Sequence, residues 1–225
     1  MSRLQLHQEL SQAIMNCQAC PRLREHCQKI AVSKRKSYQG EDYWGRPLPG
    51  FGDPKARLLV VGLAPAAHGA NRTGRIFTGD RSGEWLYRAL HKAGFANQPA
   101  STHLEDGLAL IRAYVTCVAR CAPPNNKPLP EELARCATFL KQEIQLLREV
   151  RVILALGQVA FHGVWKHLEP ERSRPKFGHG VQTRLSDGRL LLTSYHPSQQ
   201  NTFTGRLTEP MFDSVFHVAQ IECRP

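Results

Sequence analysis

The chain has 225 residues, 41% of them hydrophobic, with 30 Lys and Arg against 19 Asp and Glu for a formal charge of +11. At about 150 residues per domain that length, with an ordinary apolar share, excludes a disordered chain and predicts one domain over 1–225 with a real core. No apolar run approaches the roughly 20 residues that cross a membrane, and residues 1–16 lack the apolar stretch of a secretory signal, so the expected setting is cytoplasmic.

In chain order, Ser2–Met15 reads as a short amphipathic helix with Leu4, Leu6, Leu10 and Ile14 as core positions. Residues 33–57, rich in Gly, Pro, Lys and Arg, read as a loop packed against the domain. Arg57–Gly62 is a buried strand. Gly83–Ala93 has helical periodicity and is closed by Gly94 just past its end. Ala113–Cys117 is a second strand. Pro130–Arg148 is the strongest helix, with proline near its start, Glu131 and Glu132 in the first turn, and an apolar face of Leu133, Phe139, Leu140, Ile144 and Leu147. Arg151–Leu156, Gln158–His167 and Arg189–Tyr195 follow as strand, helix and strand, and a last helix covers Leu207–Cys223. This alternation predicts an α/β fold, an α/β/α sandwich around a four-stranded parallel sheet.

The positive excess points to an anionic partner. Nucleic acid is the commonest, because each phosphate neutralised releases counterions, and no basic helix with a broad apolar face argues for a membrane surface. In a reducing compartment the seven cysteines are thiols, ligands or catalysts rather than disulfides. Cys17 and Cys20 form a CxxC, and Cys121 and Cys136 a wider pair far downstream; together they suggest a four-thiolate site. Zinc and an iron–sulfur cluster both accept four cysteines, and spacing does not separate them, although the wide second pair leans toward the cluster.

In a parallel sheet the working residues sit in loops leaving the carboxyl ends of the strands. Three such loops are unusual: Gly62–Gly83, Arg120–Lys127 and His196–Arg206. The first matches neither common nucleotide-binding motif, but its glycines with Arg72 and Arg75 suit phosphate contact. Taken singly, Phe77 is a core plug, Asn126 a turn residue and His196 a structural histidine. Gathered on one rim of a basic domain, an aromatic face, an amide that donates and accepts, and a strand-end imidazole favour recognition of a base.

Gly62-Leu-Ala-Pro-Ala66, Gly74-Arg-Ile-Phe-Thr-Gly-Asp80, and His196-Pro-Ser with Asn201 and Thr204-Gly-Arg-Leu207 resemble the type 5 uracil-DNA glycosylases, and the likeness runs from Cys17 to the last helix. The resemblance implies a monofunctional hydrolase that flips uracil, and other deaminated or damaged bases, out of DNA and cuts the N-glycosidic bond to leave an abasic site. It implies a [4Fe-4S] cluster on Cys17, Cys20, Cys121 and Cys136, stapling the N-terminal helix to the loop after the second strand. Cys27, Cys117 and Cys223 are then spectators, with Cys117 the rival ligand because it lies so near Cys121. By position, Phe77 stacks on the extruded base, Asn126 bonds its edge, His196 stabilises it as it departs, and Asp80 holds the attacking water.

Gly62, Ala64 and Ala66 belong to the same base pocket. Ala64 stands where many relatives of the wider superfamily carry an acid, which leaves Asp80 as the nearest carboxylate. Ala66 stands where the narrow uracil enzymes have a tyrosine, which implies a wider pocket. Gln199, Gln200, Asn201, Phe203 and Arg206 form the expected wedge, and Arg72, Arg75 and Arg206 the expected phosphate contacts. A monomer on nucleoid DNA, away from membranes, is expected. On charge and cysteines alone, two other classes stay open: a zinc-stapled nucleic-acid-binding domain without activity, and a small iron–sulfur electron carrier.

Overall fold

The computed structural model describes residues 2–224. Its sheet holds six strands, β1 (Phe51–Gly52), β2 (Leu58–Gly62), β3 (Ala113–Cys117), β4 (Val152–Leu156), β5 (Gln182–Arg184) and β6 (Leu190–Ser194), in the order β1-β3-β2-β4-β6-β5. The middle four run parallel, and each edge strand pairs antiparallel with its neighbour. The sheet is therefore six-stranded and mixed, which corrects the expected four-stranded parallel sheet. The four central strands are buried along their whole length, so they read as unbroken apolar runs. The edge strands are only two and three residues long and not fully buried, so no apolar pattern marks them.

Among the described residues, eight α-helices surround the sheet: α1 (Arg3–Met15), α2 (Pro21–Ser33), α3 (Ala70–Thr73), α4 (Arg81–Lys92), α5 (Pro130–Leu146), α6 (Gln158–Leu168), α7 (Gln199–Phe203) and α8 (Glu209–Glu222). Alternation along the strands divides the core. Leu58, Val60, Leu154 and Leu192 face α4 and α8, whereas Leu59, Val61, Ile153 and Leu191 face α5 and α6. Among the described residues, no helix is long and apolar enough to cross a membrane.

One local expectation fails, and one helix has no counterpart in the sequence reading, each for a physical reason. In α1 the buried positions are His7, Leu10 and Ile14, and Leu4 is 56% exposed; the inward stripe takes up a histidine that hydrophobic periodicity passes over. α2 was not anticipated, because its buried face consists of Leu23, Arg24 and Cys27, a stripe with a cation at its centre. Elsewhere a buried ion pair ties the loop after β3 to α5. Arg120 meets Glu143 at 2.6 Å, and Glu143 also accepts from Thr116 Oγ1 at 2.6 Å and from the Gly50 N–H at 3.1 Å.

Candidate active site

The loops leaving β2 and β6 meet. Phe77 has φ 57°, a left-handed conformation that costs a side chain of this size about 1–3 kcal/mol and persists only where packing imposes it. Its ring lies 5.8 Å from the His196 ring with 27° between the planes. A Cβ on Gly62 would strike that phenyl ring at 2.7 Å, so the end of β2 admits only glycine without displacing Phe77. Gly62, Phe77 and His196 thus form one continuous floor, with Ala64 and Ala66 half-buried in the same loop.

Burial alone pushes the His196 imidazole down to about 4, so at neutral pH it is uncharged. A neutral imidazole keeps one N–H, enough to donate a hydrogen bond to a developing anion. The backbone around it is fixed locally: its carbonyl accepts from the Ser198 N–H and from Asn201 Nδ2, each at 2.8 Å. Asn201, expected against DNA, therefore turns its amide inward and shapes the His196 loop. Gln199 and Gln200 remain exposed on α7, and Phe203 at its end is 69% exposed.

The two oxygens of Asp80 have different neighbours. Oδ1 accepts from the Gly83 N–H at 2.9 Å and caps α4. Oδ2 lies against Gly69, where a Cβ would come within 2.2 Å of it. Burial holds the carboxyl above the ordinary aspartate value, opposed by the capping N–H groups of Gly83 and Ser82. The next residue, Arg81, donates through Nε to Thr202 Oγ1 at 3.3 Å and lies 4.6 Å over the Phe203 ring, linking the start of α4 to α7. On the other side Tyr43 Oη and His68 Nδ1 are 3.1 Å apart, and the Arg35 N–H donates to Tyr43 Oη at 3.3 Å. Sequence reading missed Tyr43, His68 and Arg81. His68 precedes Gly69 inside the first strand-end loop and could have been found; nothing local distinguishes the other two.

Two expected phosphate contacts are corrected. Arg72 is 8% exposed: it ion-pairs with Glu41, donates to Gly79 O at 3.0 Å and His68 O at 2.8 Å, and lies 4.0 Å over Tyr38. Arg75 is 3% exposed and holds Asp106 at 2.6 Å and His103 O at 2.5 Å. Both guanidiniums brace the loop from inside. Arg206 is exposed, 4.6 Å over the Tyr195 ring. Asn126 is also exposed, at φ 56° in a 3₁₀ turn, and its amide makes no hydrogen bond among the described residues.

Cys17, Cys20, Cys121 and Cys136 line a single cavity, together with Arg24, Arg120 and Arg135. Among the described residues, no three His, Cys, Asp or Glu side chains gather closely enough for one metal ion. Cys27, rather than Cys117, is the neighbour of Cys121, packed with it and Leu23. Cys117 lies on β3, buried beside the end of β2, where a Cβ on Gly62 would sit 3.2 Å from its sulfur.

A family described as the Uracil DNA glycosylase superfamily matches residues 49–220. A Type-5 uracil-DNA glycosylase of Mycobacterium tuberculosis is 50% identical over 94% of this chain and 80% of its own. Another from Thermus thermophilus is 50% identical over 93% of this chain and 94% of its own. A Type-4 uracil-DNA glycosylase of Pyrobaculum aerophilum is 28% identical over 85% and 82%.

Proposed function

Since this chain belongs to the uracil-DNA glycosylase superfamily and matches its type 5 members at 50% identity along nearly its whole length, we propose that it excises uracil, and other deaminated or damaged bases, from DNA by hydrolysing the N-glycosidic bond. The observation that carries this reading is the meeting of Phe77 and His196 at the end of β2, on the loop that also brings Asp80 Oδ2 against Gly69.

A base inside a duplex is out of reach, and extruding it costs a few kcal/mol, less when it is mispaired. The Phe77 face would then stack on the base and the free Asn126 amide would bond its edge. As the bond breaks, its electron pair stays with the base, where the neutral His196 N–H meets the growing negative charge. Asp80 faces the sugar cation and directs water at the anomeric carbon, taking the proton the water gives up. Ala64 and Ala66 put no bulky side chain on their side of the loop, which supports a base range wider than uracil. Phosphate contact falls to Arg206 and to Arg35 and Lys36, whose exposed side chains form no ion pair among the described residues; Tyr43 joins the Arg35 backbone to His68. The exposed Phe203 serves as the wedge, backed by Arg81.

We also assign a [4Fe-4S] cluster to Cys17, Cys20, Cys121 and Cys136. All four line one cavity and together offer the all-thiolate ligand set that such a cluster takes, which supports the assignment. When bound it supplies a cross-link between the start of α2, the loop after β3 and α5.

Incubation of the purified protein with an end-labelled oligonucleotide containing one uracil tests the activity: free uracil and an alkali-sensitive abasic site are expected. Binding without release would leave a DNA-binding domain and no enzyme. Iron per chain in single Cys-to-Ser variants tests the cluster, with loss expected at the four ligands and retention at Cys117 and Cys223.

A further inference from the structure

Arg24 is out of place by the usual rules for charge. It sits on the buried face of α2 at 6% exposure. One guanidinium N–H donates to the Gly45 carbonyl at 3.1 Å, Nε has no partner, and none of the ion pairs among the described residues includes it. Arg120, still deeper and also with an unpartnered Nε, is different, because Glu143 neutralises it at 2.6 Å. Burying a cation with no anion beside it is strongly unfavourable. The missing anion should lie where Arg24 points, and that is the wall of the four-cysteine cavity, beside Cys121.

The cluster assigned above has the right charge: four thiolates around a dicationic core leave a dianion. We propose that Arg24 is the built-in counter-ion of the iron–sulfur cluster, donating its free Nε–H toward the Cys121 sulfur and holding the reduction potential up. This rests on the cluster assignment of the preceding subsection. An added electron makes the anion more negative, so a buried cation stabilises the reduced form more than the oxidised one. Charge and hydrogen bonds to sulfur are the terms by which a protein sets such potentials. Lys29, further along the same helix, is exposed and forms no ion pair among the described residues, so it offers the same charge change outside the cavity.

The test is a mediated redox titration of the holoprotein, following the electron paramagnetic resonance signal of the reduced cluster, with iron per chain measured on each sample. Arg24→Gln should shift the potential negative by at least tenfold in the reduction equilibrium, about 59 mV for one electron. Arg24→Lys should recover most of that shift, and Lys29→Gln should stay near the native value. Loss of iron from Arg24→Gln alone, with Arg24→Lys fully loaded, would equally support the need for charge. A native potential in a fully loaded Arg24→Gln variant overturns the proposal. So does equal loss of iron from the Gln and Lys variants, which would make shape decisive rather than charge. Native protein purified without iron would instead remove the cluster assignment, and the counter-ion with it.

Discussion

Replacing Asp80 by Asn separates the observed helix cap from the proposed catalytic charge. Asn caps a helix about as well as Asp, so the bond to the Gly83 N–H survives and the capping change is a few tenths of a kcal/mol. Burial already raises the Asp80 pKa, meaning the fold disfavours the charge it carries; a neutral amide should leave thermal stability unchanged or slightly higher. The rate should respond quite differently. Removing a preorganised charge aimed at the transition state costs about 10²–10³-fold, roughly 2.7–4 kcal/mol. Asp80→Ala loses the cap as well, about 1 kcal/mol, or about 2–4 °C in Tm for a chain of this size. Single-turnover excision of uracil, with thermal unfolding of the same samples, reads both terms. The native rate should also fall in acid as Asp80 protonates through its raised pKa, whereas the Asn variant's residual rate should lack that limb. An Asn variant within about threefold of the native rate, at native Tm, would refute the catalytic role and leave Asp80 as a helix cap.

Gly69→Ala should depress the same rate and weaken the cap with it, because its methyl would overlap the Oδ2 position and crowd Asp80 Cγ at 2.9 Å, pushing the whole carboxylate aside; a native rate would show that the placement of the carboxylate is not used. The rate–pH profile should have no inflection at the ordinary histidine value of 6.5, since His196 protonates only near 4 and is neutral above that; an inflection at 6.5 would contradict its burial. In fluorescence-anisotropy titrations across salt, Arg206→Gln and Arg35→Gln should each lower the slope of log affinity against log salt by about 1. Arg75→Gln should leave that slope alone but cost about 3–5 kcal/mol in unfolding experiments, because it strands the buried Asp106.

How much of this was legible in the chain differs by element. The central strands are named almost to the residue, with Ala113–Cys117 unchanged, because a strand covered on both faces must be apolar throughout. Helices with local end signals are equally clear: Pro130 opens α5 and Gly94, at φ 76°, follows α4. Such signals lie within a few residues of the structure they specify. The loops at the strand ends, and with them Phe77, Asn126 and His196 as candidates, follow from that strand register, whereas Asp80 is a candidate through the resemblance of Gly74–Asp80 to the family motif.

What the sequence alone does not carry is the direction a side chain takes. Arg72, Arg75 and Arg206 are the same residue type in similar glycine-bearing loops, yet two are buried braces and one is exposed. Their partners decide it, and those are remote in the chain: Asp106 for Arg75, Glu41 for Arg72. The same holds for α2, whose inward face is readable only once Gly45 and the cysteine cavity are in position around Arg24. Edge strands β1 and β5 exist because β3 and β6 offer open backbone hydrogen bonds, a property of the assembled sheet and not of the few residues that join it. Apolar patterning sets which segments must be buried; only the tertiary packing sets which charges go in with them.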